Sequence, residues 1–86
     1  MKRAPYALSE LHSKAKSQLP ANTLLAFELG DFDEFFGGDA ESAARILNLT
    51  LTHREGTITA GYPKRVRSLY VEKLSIAGFN LALLNP

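Results

Sequence analysis

Apolar residues recur at helical spacing near the start of the chain. They are separated by three or four positions, with polar residues between them: Leu8, Leu11, Ala15 and Leu19. This spacing predicts an amphipathic helix from about Ala7 to Gln18. The helix is expected to end near Leu19, because Pro20 disfavours the α conformation of the residue before it.

Two short segments then have the composition of strands. Residues Thr23–Leu29 are nearly all apolar and too few for a helix. Gly30-Asp31 marks a turn, and the aromatic run Phe32–Phe36 has strand character. The pattern therefore predicts a strand, a turn and a second strand.

Two more helices and three more strands are predicted after this point. Asp39 is expected to be the N-cap of a second helix, whose buried stripe is Ala40, Ala43, Ala44 and Leu47. The alternating segment Leu49–Thr52 predicts a half-buried strand, followed by a hairpin at Arg54-Glu55-Gly56 and a return strand to Ala60.

The last third of the chain predicts a helix and a strand. Pro63 suits the first turn of a third helix, and Gly78 suits its left-handed end. The apolar face of this helix is expected to be Val66, Leu69, Tyr70, Leu74 and Ala77. Residues 79–84 then form the final strand. The fold class is α+β: a mixed sheet of about four to five short strands, packed by three helices in a single domain over residues 1–86.

Composition supports an ordinary globular domain. Of the 86 residues, 45% are hydrophobic and 22% are charged, and the formal net charge is +1. There is no cysteine, so disulfides and thiolate chemistry are excluded. No segment approaches the ~20 apolar residues that cross a bilayer, so we expect a cytoplasmic protein with no membrane partner.

The charged residues do not form a recognisable catalytic or metal motif. Asp31, Asp33, Glu34 and Asp39 could supply oxygen ligands, but their spacing does not fit a calcium loop. His12 and His53 are expected to be surface side chains, and Gly37-Gly38 lacks the residues of a phosphate-binding loop. The sequence predicts no catalytic residue, no metal and no cofactor, and hence no enzyme.

The aromatic run is unusual for a strand. In an extended conformation, Phe32, Glu34 and Phe36 share one face, whereas Asp31, Asp33 and Phe35 share the other. Each face therefore carries both an acid and a phenylalanine, although one face of a strand is normally buried and the other solvated. The pattern alone favours a core position for Phe32 and leaves open an exposed one, which would make it a candidate contact residue.

The local sequence resembles a known family. The segment from Leu24 to Phe36 resembles the strand–turn–strand of the N-terminal domain of the MutS family, whose members recognise DNA mismatches. Residues 51–56 resemble that domain's hairpin, and Ala60-Gly61-Tyr62-Pro63 resembles its Ala-Gly-Ile-Pro segment. The resemblance covers about 80 residues, almost the whole chain.

The resemblance implies a DNA-binding site. Phe32 would wedge into the minor groove and stack on a mispaired or unpaired base, and Glu34 would hydrogen-bond that base. Gly30 and Asp31, in the turn that presents them, are also expected to contact the DNA. Arg54, with Lys64 and Arg65, would contact phosphates. The implied partner is double-stranded DNA that contains mispaired or unpaired bases, with other domains or a protein as further candidate partners.

Two acidic residues depart from the family's pattern. Glu28 stands where a basic residue is common, and Asp33 stands where an aromatic one is common. Both add negative charge beside Phe32, so they are expected to weaken DNA binding, and an isolated domain with a net charge of +1 is expected to bind weakly. An alternative hypothesis is a non-catalytic protein-interaction module that docks through an acidic surface spanning Glu28–Glu34.

Overall fold

The domain consists of one sheet with helices on both faces. The structure, a computed structural model, describes residues 5–54 and 56–86, with side chains from Leu8 onward. Its elements are α1 (Pro5–Lys16), β1 (Thr23–Leu29), β2 (Phe32–Phe36), α2 (Gly37–Leu47), β3 (Thr52–Arg54), β4 (Thr57–Pro63), a 3₁₀ turn (Lys64–Val66), α3 (Arg67–Ile76) and β5 (Asn80–Leu84). The α+β prediction is confirmed. Glu55, inside the predicted hairpin, lies outside the described residues.

The sheet is mixed and has five strands in the order β3-β4-β2-β1-β5. Strand β2 lies antiparallel to both β1 and β4, and β3 lies antiparallel to β4. Strand β5 is parallel to β1. The hairpin β1–β2 is therefore central, with partners on both sides.

The alternation of side chains along the strands divides the core into two clusters. Helices α2 and α3 cover one face of the sheet, where Phe35, Ala60, Tyr62 and Leu74 are fully or almost fully buried. Helix α1 covers part of the other face, where its Leu8, Leu11 and Ala15 pack against Leu25, Phe27 and Phe36. Because α1 covers only part of this face, the neighbouring part can form an open site.

Helix α1 ends earlier than its apolar spacing predicts. Its last helical residue is Lys16, and tighter turns follow, in which the Gln18 and Leu19 amides donate to the carbonyls of Ala15 and Lys16. Leu19 still packs with α1 against the sheet. Among the described residues there is no helix with both the length and the apolar character that a membrane span requires.

Three sequence-based expectations about element boundaries are wrong. Helix α2 begins at Gly37, so Asp39 lies within its first turn and is not its N-cap. The strand expected at Leu49–Thr52 is instead β3, Thr52–Arg54, and Leu51 is 40% exposed. Pro63 ends β4 opposite Phe32, where a residue without an N–H is tolerated, and α3 begins only at Arg67.

Helix α3 packs through a narrower face than its sequence suggests. Leu74 is fully buried and Tyr70 stacks on Tyr62, with ring centroids 4.6 Å apart. Leu69, expected on the same face, is 49% exposed. Gly78 follows the helix with a φ of +91°, so the predicted left-handed end is confirmed.

Candidate nucleic-acid interface

The β1–β2 turn presents Phe32 at the end of the central hairpin. Gly30 has a φ of +59°, a conformation that favours glycine, and Leu29 pairs with Phe32 across the turn. The Phe32 side chain is 43% exposed. The core position favoured by pattern alone is therefore wrong, since Phe32 is the only described residue of β2 that is exposed.

Glu34 lies behind Phe32 on the same face of β2 and is buried. It is opposite Gly61 of β4, where the missing side chain leaves room for the carboxylate. A methyl group at Gly61 would lie 2.5 Å from Glu34 Oε1 and 2.7 Å from the Asp33 carbonyl oxygen. The glycine is therefore required for the present position of Glu34, a role that the sequence does not reveal.

Burial raises the pKa of the Glu34 carboxyl above its ordinary value. The Thr59 hydroxyl and the Arg54 guanidinium act in the opposite direction, but the loss of hydration is the larger effect. A buried carboxyl with a raised pKa takes up a proton more readily than an exposed one. In its protonated form, Glu34 can donate as well as accept a hydrogen bond.

Phe32, Glu34 and Gly61 line an open groove on the face of the sheet that α1 partly covers. The groove has a volume of about 550 Å³, and Arg54 and the segment 48–50 form its other wall. Opposite residues of antiparallel strands share a face, which places Arg54, opposite Thr57, on the same side of the sheet as Glu34. An aromatic ring, an acid and a guanidinium therefore meet at one groove.

Lys64 and Arg65 lie at a neighbouring depression of about 330 Å³, which Asp31 and Pro63 also line. The Lys64 amide donates to the Asp31 carbonyl oxygen at 2.7 Å, which joins the 3₁₀ turn to the β1–β2 turn. Arg65 is exposed and Lys64 is partly exposed. All seven predicted contact residues thus lie at the groove, at this depression or in the β1–β2 turn: Gly30, Asp31, Phe32, Glu34, Arg54, Lys64 and Arg65.

Asp33 does not face this groove, as the alternation of residues along the strand predicts. It is 0% exposed on the opposite face of the sheet, where Arg67 donates to both of its oxygens, from Nε at 2.7 Å and Nη2 at 2.8 Å. The same Nη2 donates to Glu28 Oε2 at 2.6 Å. Glu28 and Asp33, the two residues that depart from the family pattern, thus both bind the Arg67 guanidinium. Its positive charge neutralises part of the negative charge that was expected beside Phe32.

This arrangement also argues against the docking hypothesis. Its acidic surface was to include Glu28, Asp31, Asp33 and Glu34. Asp33 is fully buried, Glu34 is 9% exposed and Glu28 is paired with Arg67. Asp31 alone of the four is exposed, so they form no continuous acidic surface.

The acidic residues of this region do not converge on a metal. Within residues 5–54 and 56–86, no group of three or more histidine or acidic side chains could hold an ion. Asp39 accepts from Lys16 Nζ at 2.6 Å and from the Leu25 amide at 2.9 Å. It lies in a separate depression between α1 and α2. Through these hydrogen bonds, Asp39 joins α2 to α1 and β1.

His12 is buried beside Asp39, so its expected surface position is wrong; His53 is exposed, as predicted. His12 Nε2 donates to the Leu25 carbonyl oxygen at 2.6 Å, and its ring packs on Phe27 and Phe36. Burial lowers the pKa of the imidazole; the Leu25 carbonyl and Asp39 partly offset this effect, and Lys16 adds to it. The sequence gives no sign of this burial, because histidine is common at both surface and intermediate positions.

We expect the lowered pKa of His12 to make the domain less stable in acid. Below pH 6.5 the His12 side chain binds a proton in the unfolded chain but not in the folded domain. The free energy of unfolding therefore falls as the pH drops from 6.5 through the lower pKa that His12 has in the folded domain. A single titrating group can change the free energy of unfolding by at most about 1.4 kcal/mol per pH unit. Urea unfolding of the wild-type and His12→Gln domains between pH 7 and 5 should show that the variant loses less stability on acidification.

The matched control for this measurement is His53→Gln, since His53 is exposed. It should leave the pH dependence of the wild-type domain unchanged. Glu34, with its raised pKa, acts in the opposite sense, because ionising it costs stability as the pH rises above 4.5. The difference between the two histidine variants isolates His12, and equal acid losses in both would contradict the prediction.

Comparison with known proteins identifies the family of this chain. Residues 8–85 match the family model described as MutS domain I. The DNA mismatch repair protein MutS of Thermotoga neapolitana is 39% identical over 83 residues, which cover 96% of this chain and 10% of that relative. The corresponding protein of Thermus aquaticus is 42% identical over 80 residues, covering 88% of this chain and 10% of the relative.

A third relative, the DNA mismatch repair protein MutS of Thermus thermophilus, is 48% identical over 64 residues, which cover 70% of this chain and 8% of the relative. The chain spans about a tenth of the length of these relatives. The match to the family model includes the groove, the β1–β2 turn and the helices behind them. This chain therefore belongs to the MutS domain I family, the family of DNA mismatch-recognition domains.

Proposed function

We propose that this domain binds duplex DNA at mispaired or unpaired bases, with Phe32 as the stacking wedge and Glu34 as the acid that hydrogen-bonds the displaced base. The observation that carries the proposal is their placement. Phe32 projects from the end of the central hairpin, and Glu34 lies two residues behind it on the same face. Binding without catalysis is sufficient for this role.

A wedge of this kind detects how easily a duplex deforms. Inserting an aromatic ring between base pairs costs a few kcal/mol of stacking, and the cost is lower where pairing is already defective. Phe32 is anchored in a strand with hydrogen-bonded partners on both sides. Its ring can therefore enter a base step without a rearrangement of the loop that carries it.

Glu34 supplies discrimination against intact DNA. An ionised carboxylate beside phosphates is repelled, so it penalises a regular duplex. A displaced base offers hydrogen-bonding groups that the carboxyl can satisfy. Because burial raises the pKa of Glu34, a base that presents an acceptor can also be bound by the protonated form.

Three cations would hold the phosphates on either side of the wedge. Arg54 lies across the groove from Phe32, and Lys64 and Arg65 lie beyond the β1–β2 turn. Such contacts position the protein and do not read sequence. With few of them, we expect a Kd in the range of about 10⁻⁴–10⁻⁶ M for the isolated domain at physiological salt. In a longer chain, as in the relatives, other domains would add to this affinity.

The test is fluorescence anisotropy at low salt with two duplexes, one matched and one carrying a single unpaired base. We expect the wild-type domain to bind the second duplex about tenfold more tightly, equivalent to about 1.4 kcal/mol. Phe32→Ala should remove this preference, because only the wedge reads the defect. Leu69→Ala, which truncates a similarly exposed apolar residue on α3, should retain it.

Two further variants complete this experiment. Glu34→Gln should bind matched DNA more tightly, because it removes a repulsive charge. Arg54→Gln should weaken both duplexes equally and lower the slope of log K against log salt by about 0.9. Absence of binding to either duplex, or a Phe32→Ala variant identical to wild type, contradicts the proposal.

A further inference from the structure

Arg67 binds the back of the hairpin that presents Phe32 and Glu34. Its guanidinium lies on the face of the sheet opposite the groove. It makes two hydrogen bonds to Asp33, of 2.7 and 2.8 Å, and one of 2.6 Å to Glu28. Two parallel N–H···O bonds to one carboxylate fix direction as well as distance. Arg67 thereby joins the first residue of α3 to the two central strands.

Asp33 is the residue between Phe32 and Glu34. Successive side chains of a strand point to opposite faces, so the direction of Asp33 sets the direction of both neighbours. Asp33 is 0% exposed and points away from the groove. While Arg67 holds it there, Phe32 and Glu34 are fixed towards the groove. A rotation of this strand about its axis would move all three side chains together.

Glu28 extends this restraint to the other strand of the hairpin. It pairs directly with Asp33 across β1 and β2, one step from the Leu29–Phe32 pair that closes the turn. A single guanidinium therefore spans both strands next to the turn. The turn is also held from the side of β4, by the hydrogen bond from the Lys64 amide to the Asp31 carbonyl oxygen.

The charges make this restraint strong. Without Arg67, two carboxylates would face each other across the hairpin, one of them with no exposure to water. An unpaired buried carboxylate is highly unfavourable, so without Arg67 the Asp33 side chain would turn towards solvent. That movement alters the strand segment that carries Phe32. Burial raises the pKa of the Tyr62 hydroxyl and the nearby Asp33 carboxylate raises it further, so this neutral group offers no compensating charge.

We propose that Arg67 is a positioning residue for mismatch recognition, which holds Phe32 and Glu34 in the groove by binding Asp33 and Glu28 from behind. The inference rests on the proposed function. Arg67 is assigned no phosphate contact, since its Nε and Nη2 bind Asp33 and Glu28 on the face of the sheet opposite the groove. It acts on DNA only through the hairpin.

A double-mutant cycle tests this role. Matched and unpaired-base duplexes are titrated with four proteins: wild type, Phe32→Ala, Arg67→Met and the double variant. We expect Arg67→Met to reduce the preference for the unpaired base at least fivefold and to change the affinity for matched DNA less than twofold. In its background, Phe32→Ala should have little further effect, because coupled residues are not additive.

Arg45→Met, an exposed arginine on α2, is the matched control and should behave as wild type. Circular dichroism at the assay temperature shows whether each variant is folded. If Arg67→Met does not fold, Arg67→Lys carries the test. It keeps the charge but cannot bind Asp33 through two parallel bonds, so it should lose part of the preference.

The outcomes separate this inference from the proposed function. A folded Arg67 variant that keeps the full preference, or additive effects of the two substitutions, overturns the positioning role alone. Equal weakening of both duplexes with a lower salt slope also overturns it, since that indicates a phosphate contact. A wild-type domain without preference, or insensitive to Phe32→Ala, overturns the proposed function and this inference with it.

Discussion

Gly61→Ala is expected to lower both the stability of the domain and its discrimination between DNA duplexes. The new methyl group would lie 2.7 Å from the Asp33 carbonyl oxygen, a backbone atom that cannot move without separating β2 from β4. Overpacking of this kind costs about 1–3 kcal/mol. For a domain of this size, a loss of 2 kcal/mol lowers the melting temperature by roughly 10 °C.

The same methyl group would lie 2.5 Å from Glu34 Oε1, so the carboxyl must leave its buried position. An exposed Glu34 would repel matched and defective DNA alike, and the preference for an unpaired base should fall several-fold. Thermal unfolding and anisotropy measure the two effects on one protein sample.

Gly38→Ala is the matched control for this substitution. Gly38 lies in α2, and a methyl group there would meet no atom within 4 Å. Alanine also favours a helix more than glycine does, so the variant should be as stable as wild type or slightly more stable. If Gly61→Ala melts at the same temperature as Gly38→Ala, the prediction that β2 and β4 leave no room for a methyl group at position 61 is wrong.

Local sequence was sufficient to predict the hairpin that carries the site. The bounds of β1 and β2 are those predicted, because an apolar run, a Gly-Asp turn and an aromatic run are adjacent in the chain. The bounds of α1 and α2 were less accurate. Their ends depend on which face packs on the sheet, and spacing within one segment does not contain that information.

Phe32 shows the limit of pattern alone. Periodicity places Phe32 and Phe36 on one face of β2, yet Phe36 is buried under α1 and Phe32 is exposed. The difference arises because α1 covers one end of that face and leaves the other open. The family resemblance predicted the contact role that the alternation of residues did not.

The partner of Asp33 was missed for a different reason. The alternation of residues places Asp33 on the face opposite Phe32, but it does not indicate what binds the carboxylate there. Its partner Arg67 is 34 positions away in the chain and belongs to another element. Nothing in the local sequence of either residue indicates this pair, and only the arrangement of α3 on the sheet brings them together.

Asp39 stabilises the fold more than a helix N-cap would. It is 8% exposed and joins three elements: α2, which carries it, α1 through Lys16 and β1 through the Leu25 amide. We expect Asp39→Ala to lower the free energy of unfolding by about 2–4 kcal/mol, because it leaves a buried N–H without an acceptor and removes the partner of a partly buried ammonium group.

Asp39→Asn and Glu41→Ala define the source of this effect. Asparagine keeps an acceptor for the Leu25 amide but loses the charge that Lys16 binds, so we expect a smaller loss, about 1–2 kcal/mol. Glu41 is an exposed acid on the same helix, and its removal should change stability by less than about 0.5 kcal/mol. Urea unfolding at pH 7 ranks the variants. If the Asp39→Ala domain is as stable as the Glu41→Ala domain, α1 is held to the sheet by its apolar contacts alone. The expected order of stabilities would instead show that the Asp39 carboxylate holds α1, β1 and α2 together.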